Sequence, residues 1–331
     1  MPECDADHLR TCRVDSLNPC GIAFRSSAGR ADLETQAVMA DIAAGRRIRV
    51  KAIGRLRATL APDGTADGLP FMPEMTRYCG YSGFARPADR ICLNGFRRLD
   101  HVFHLDNLRC DGKAHDECDA RCLLFWHVSW LEAVDSKCPQ QKYSEQQSLP
   151  DDSPAISDFS RAEPRYFCQA TAASQLGTPL PLPGPFRLLF EFLHKRIGIS
   201  DLGRLCVWAF DYVLLHLFVK LAGNRRSVLK GDSNVQAGEL VRVKSKLKIL
   251  RTLGPEGRHY GLTVVPDMLR YCGGTYRVAG RVHRIVEPLT GEMREMKNEC
   301  IVLEGVTCSG GRSFCSRCEF FFWREAWLER V

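Results

Sequence analysis

Residues 45–80 and 238–273 read as two copies of one segment, pairing without a gap when Gly45 is set over Gly238. The first copy ends GLPFMPEMTRYCG and the second GLTVVPDMLRYCG. Arg49-Val50-Lys51 matches Arg242-Val243-Lys244, Thr59-Leu60 matches Thr252-Leu253, and Pro62, Gly64, Pro73, Met75, Arg77, Tyr78 and Cys79 all recur. After a short length change the register returns. Leu105-Asp106 falls on Leu303-Glu304, Cys110 on Cys308, Cys118 on Cys315, Trp126 on Trp323, and Trp130-Leu131-Glu132 on Trp327-Leu328-Glu329. Self-similarity over such a span means one supersecondary unit used twice, which constrains the fold more than composition does.

Within the second copy, Leu240 to Lys244 mixes β-branched and basic residues like a short strand. Ser245 is placed to N-cap a short helix with Leu247, Leu250 and Leu253 on one face, stopped by Gly254-Pro255. Tyr276–Val286 and Cys300–Val306 read as strands, and Phe320–Leu328 as an aromatic helix with Trp323 and Trp327 one turn apart. The expected class is therefore α+β, with two small β-rich modules resembling partly open SH3-like barrels and a helical segment between them. The expected boundaries are a mobile segment 1–44 holding Cys4, Cys12 and Cys20, module one at 45–134, a polar flexible linker at 135–160, a helical segment at 161–237, and module two at 238–331.

Sixteen cysteines in 331 residues demand an explanation. The opening Met1-Pro2-Glu3-Cys4-Asp5 has no apolar run of the secretory kind, so the sequence is read as cytoplasmic, with thiols for metal or redox chemistry and not for disulfides. Cys79 aligns with Cys272, Cys110 with Cys308, and Cys118 with Cys315. Cys92 and Cys122 in the first copy, and Cys300, Cys318 and His283 in the second, are alternatives for completing a tetrahedral set. Four thiolates or imidazoles on neighbouring loops close a structural zinc site; thiolates also suit an iron–sulfur cluster.

Leu205 to Leu221 is largely apolar but contains Asp211, His216 and Lys220. A mid-span aspartate costs about 2.5–3.5 kcal/mol, which argues against a transmembrane span. The favoured reading is a mostly buried helix, with peripheral membrane contact through 202–226 as the other expectation. The net charge of +7, with Arg49, Lys51, Arg55, Arg57, Arg242, Lys244, Lys246, Lys248 and Arg251 near the module openings, permits a nucleic-acid partner. His104, His115 and His127 lack histidine counterparts in the second copy, and the chain carries no Walker loop, GxGxxG or HExxH motif.

The segments PRYFCQAT (164–171), MLRYCGG (268–274), ECIVLEGVTCSG (299–310) and WREAWL (323–328) resemble a widespread group of uncharacterised bacterial cysteine-rich proteins. LPFMPEM (69–75), RCDG (109–112) and Phe125-Trp126 resemble a shorter sister group. The resemblance covers most of the chain and implies Cys272, Cys300, Cys308 and Cys315 as one ligand set, and Cys79, Cys92, Cys110, Cys118 and Cys122 as the other. It carries no activity with it. The functional expectation is a zinc-binding tandem-module protein that acts by binding a protein partner. An iron–sulfur electron-transfer protein is the first alternative and a nucleic-acid binder the second.

Overall fold

The computed structural model describes residues 27–134, 161–162, 165–180, 192, 198–222, 234–254, 256–311 and 314–331. The fold mixes helix and strand, with several antiparallel sheets and few helices. In the first half five strands run in the order Trp126–His127, Val102–Leu105, Ser82–Pro87, Arg47–Val50, Leu131–Ala133. In the second, the order is Met293–Leu303, Thr275–Val286, Leu240–Val243, Leu328–Arg330. Trp323 adds a single bridge to Ile301 at its outer edge.

The registers correspond through the central strands and part by one residue after Ala85 and Val278, where a bulge in the second half sets Gly280 against Val302. Ile48 lies opposite Gly83 as Val241 lies opposite Tyr276; Val50 faces Leu131 as Val243 faces Leu328. Ala85 pairs with Leu105 and Val278 with Leu303, while Phe103 and Ile301 pair with Trp126 and Trp323. Alternation explains why these short segments are strands: Ile48, Val50, Val241 and Val243 are fully buried, with more exposed residues between them. Each half has its own core, and Trp126, Trp130, Trp323 and Trp327 are completely buried within the two.

Four expectations need correction. The segment 1–44 contains a helix, Ser27–Ala43, whose Val38 and Ile42, one turn apart, pack into the first core; residues 1–26 and the linker 135–160 fall outside the described residues. Leu247 points outward, and Ile249, Leu250 and Leu253 are the buried residues of the short Lys246–Leu250 helix and its exit. Phe320–Leu328 is not a helix. Phe320 and Trp323 bridge Thr307 and Ile301 in extended chain, and only Glu325–Trp327 makes a 3-10 turn before the last strand. Finally, the apolar helix Ile199–Ala222 is not mostly buried: Phe210, Val213 and Leu217 are exposed, whereas Asp211 is buried and reaches Lys246.

The chain after the linker also returns to the first half. Thr178–Leu180 pairs with Phe96–Arg98, and the short helix Gln169–Ala173 inserts into the first core. Gln169 makes this docking specific. Its Oε1 accepts the Phe125 N–H at 2.8 Å, and its Nε2 donates to the carbonyls of Phe125 at 2.8 Å and Pro70 at 3.1 Å. Replacing it leaves buried backbone groups without partners, so Gln169→Ala is expected to cost about 2–4 kcal/mol in urea denaturation; an unchanged midpoint would refute the docking argument.

Candidate metal centres

The described cysteines are all free thiols, and seven of them line two cavities. The first is a small cavity of about 30 Å³, lined by Glu74, Cys110, His115, Cys118, Cys122 and Cys168 among others. Ligand atoms of Glu74, Cys110 and His115 are buried and lie within 4.8 Å of one another. His115 Nε2 is 3.4 Å from Cys110 Sγ. Both carboxylate oxygens of Glu74 and Nδ1 of His115 are buried without a hydrogen-bond partner.

Local chain geometry builds this site. Cys110 opens a loop in which the Gly112 N–H turns back onto the sulfur at 3.3 Å, a contact that favours the thiolate. Gly112 has φ +79, and a Cβ there would stand 2.1 Å from the Cys118 carbonyl, so only glycine lets the two ends of the loop meet. Glu74 is carried in on the 3-10 helix Pro73–Tyr78. Cys168 arrives from the far side of the linker, at the N-cap of the helix that Gln169 anchors. Burial, followed by the Glu74 charge, drives the Cys110 thiol well above its ordinary range. Burial pushes Cys122 up to about 11 and raises Cys118 and Cys168. A cation inverts that balance, because a coordinating thiol gives up its proton outright.

The second set has the same frame with different members. The Gly310 N–H meets Cys308 Sγ at 3.3 Å, and a Gly310 Cβ would stand 2.2 Å from the Cys315 carbonyl. Asp267, on the 3-10 helix Pro266–Tyr271, accepts from the Ser309 N–H at 3.0 Å and Ser309 Oγ at 2.7 Å, with Cys308 Sγ at 3.7 Å. Cys308, Cys315 and Cys92 line a cavity of about 850 Å³. Cys92 belongs to the first half; its loop is held by Ser316, whose N–H and Oγ both donate to the Arg90 carbonyl. A hydrogen bond from Cys315, helped by the Arg317 guanidinium, lowers the Cys92 thiol to about 6, and the same bond holds the Cys315 proton on.

Of the residues singled out in the sequence, Cys110, Cys118 and Cys122 thus share one cavity, and Cys92, Cys308 and Cys315 share the other. Cys79 and Cys272 line neither. They end the two 3-10 helices, pack against the cores, and are each pushed to about 11 by burial. Cys300 is fully buried with Val282 and Val302, its sulfur accepting from Arg324 at 3.3 Å. Cys79 and Cys272 pack as small apolar residues do, while Cys300 is tied to a guanidinium. Cys318 receives Arg86 Nη1 at 3.2 Å, and His283 gives its backbone N–H to Asp119. Glu74, Asp267 and Cys168 had no place in the sequence-based sets. The alignment of Glu74 with Asp267 was a usable signal, whereas nothing local to Cys168 points to the site.

The remaining candidates are engaged elsewhere. His104 gives Nδ1 to the Leu124 carbonyl, and His127 sits between Asp67 and Ser129. Much of the basic charge is answered internally: Lys51 by Glu34, Arg55 by Glu132, Lys246 by Asp211 and Lys248 by Glu329, while Lys244 donates to the Ala326 carbonyl.

The loop geometry gives a stability test. Gly80 and Gly273 also have positive φ but have open space where a Cβ would go, so alanine there costs about 1–2 kcal/mol. Gly112→Ala and Gly310→Ala add a backbone collision and are expected to lower urea midpoints distinctly further than the control pair; equal losses would show that the loops do not need the close approach. No protein-family model, curated protein or solved structure matches this chain.

Proposed function

We propose that the two halves are tandem copies of one small, partly open β-barrel module, that a zinc ion completes each copy, and that the protein works by binding rather than by catalysis. The shared strand order and corresponding registers support the tandem reading. One observation carries the metal reading: Glu74 brings a buried carboxylate oxygen, which no N–H or O–H group reaches, to within 4.8 Å of a thiol and an imidazole. An isolated buried carboxylate costs several kcal/mol, and a cation at that point removes the cost.

In the first centre Glu74, Cys110 and His115 supply three donors, and Cys118, Cys122 or Cys168 the fourth. In the second, Cys92, Cys308 and Cys315 supply three. Zinc accepts mixed sulfur, nitrogen and oxygen ligands, which suits the first set. The second reading, an iron–sulfur cluster, is favoured by the four thiols around the first cavity. Against it stands the volume of about 30 Å³, room for one or two water-sized spheres and not for a multi-iron core.

Elemental analysis of purified protein is expected to return about two zinc ions per chain, with chelation lowering the melting temperature. Cys110→Ser and Glu74→Gln should each lose one equivalent, and Cys79→Ser and Cys272→Ser should keep both. A metal-free protein whose Cys110→Ser variant melts like wild type overturns the zinc reading. A brown anaerobic preparation containing iron and sulfide replaces it with the cluster.

A further inference from the structure

The helix Ile199–Ala222 is amphipathic in the opposite sense from an ordinary surface helix. Asp211, the charged residue at mid-helix and 3% exposed, faces the protein and meets Lys246 Nζ at 3.6 Å. Leu215 is buried beside it, and Phe218 and Val219 pack on the second core. The outward side carries Val207, Phe210, Val213 and Leu217, each half exposed or more, with Phe210 at 68%. These positions recur at three- and four-residue intervals, so they form one apolar stripe along the helix. In a soluble helix the two faces are reversed, and a stripe of this length marks contact with something apolar.

We propose that this helix lies in the plane of an anionic lipid surface, with its outward stripe among the acyl chains and Lys220 at the head groups. Charge decides the occupant. Lys195 and Arg196 precede the helix, and Lys220, Arg225 and Arg226 close and follow it. Apolar flanks with basic ends are the composition that binds an anionic bilayer surface. A second copy of the helix is disfavoured by the same charges, since parallel and antiparallel pairing both bring basic ends together. A span is disfavoured by the inner face. The helix is long and apolar enough to cross a membrane, but crossing would carry Asp211 and the docked surface of the second half into hydrocarbon.

The test uses the full-length protein and sedimentation with vesicles of phosphatidylcholine alone or mixed with phosphatidylglycerol. Wild type is expected to pellet at least tenfold more with the anionic vesicles, to lose that binding in high salt, and to be released by alkaline carbonate. Phe210→Glu and Leu217→Glu, both at exposed positions, should abolish binding while leaving circular dichroism and metal content unchanged. The zinc reading and the lipid reading therefore fail separately. No sedimentation with either vesicle overturns the proposal, as does resistance to carbonate, which would mean a span. A lipid-free dimer that Phe210→Glu dissociates would assign the stripe to a second copy.

Discussion

The loop from Cys110 to Cys122 is clamped against the second-half strand Thr275–Val286, and the first cavity depends on that clamp. The Asp119 N–H donates to the Arg284 carbonyl, while its carboxylate accepts the backbone N–H groups of His283 at 2.8 Å and Arg284 at 3.2 Å. Val286 N–H points at Cys118 Sγ, and Arg121 donates to the Ala279 carbonyl at 2.8 Å. Gly280 makes room for this: a Cβ there would stand 2.5 Å from Arg121 Nη2. The reverse contact is Cys92, delivered by the first half to the thiols of the second. Each half therefore reaches into the other's cysteine set, and neither set is a property of one half alone.

The two cavities differ in the way that separates closed from open metal sites. Around the first, Glu74, Cys110, His115, Cys118, Cys122 and Cys168 crowd a space of about 30 Å³. In the second, the position aligned with Cys122 is Glu319, which is drawn to the Arg317 guanidinium, and nothing corresponds to Cys168. What remains is a wide space roofed by Trp208, Tyr212 and His216 of the apolar helix. Identical loop mechanics, with glycine against cysteine backbone, thus serve a sealed site in one half and an accessible one in the other.

What could be read from sequence follows from how local each determinant is. Strands such as Leu240–Val243 were legible because alternation is written into adjacent residues, and the short helix after Ser245 because its buried Leu250 and Leu253 stand close together in the chain. Trp323 and Trp327 misled because a four-residue spacing fits one helical face equally well as a strand edge followed by a turn, and only the partner Ile301 decides. The thiol sets were half legible. Cys110, Cys118, Cys308 and Cys315 sit in recurring loops, but Cys168 and Cys92 are placed by Gln169 and Ser316, contacts that span the chain. The helix Ile199–Ala222 was read as buried because apolar composition alone does not say which face meets the protein; the Asp211–Lys246 pair does.

The order of donors along the chain has a consequence for biosynthesis. Every member of the first set, from Glu74 to Cys168, has left the ribosome before the second repeat begins. The second set waits for Cys315, which lies more than two hundred residues beyond Cys92. Domains made first generally fold first. Until Cys308 and Cys315 emerge Cys92 is therefore a thiol without its partners, which are made more than two hundred residues after it. A chain that stalls or is cut before Cys308 would leave Cys92 without the thiols it meets in the finished molecule, and that unmatched thiol distinguishes the one from the other.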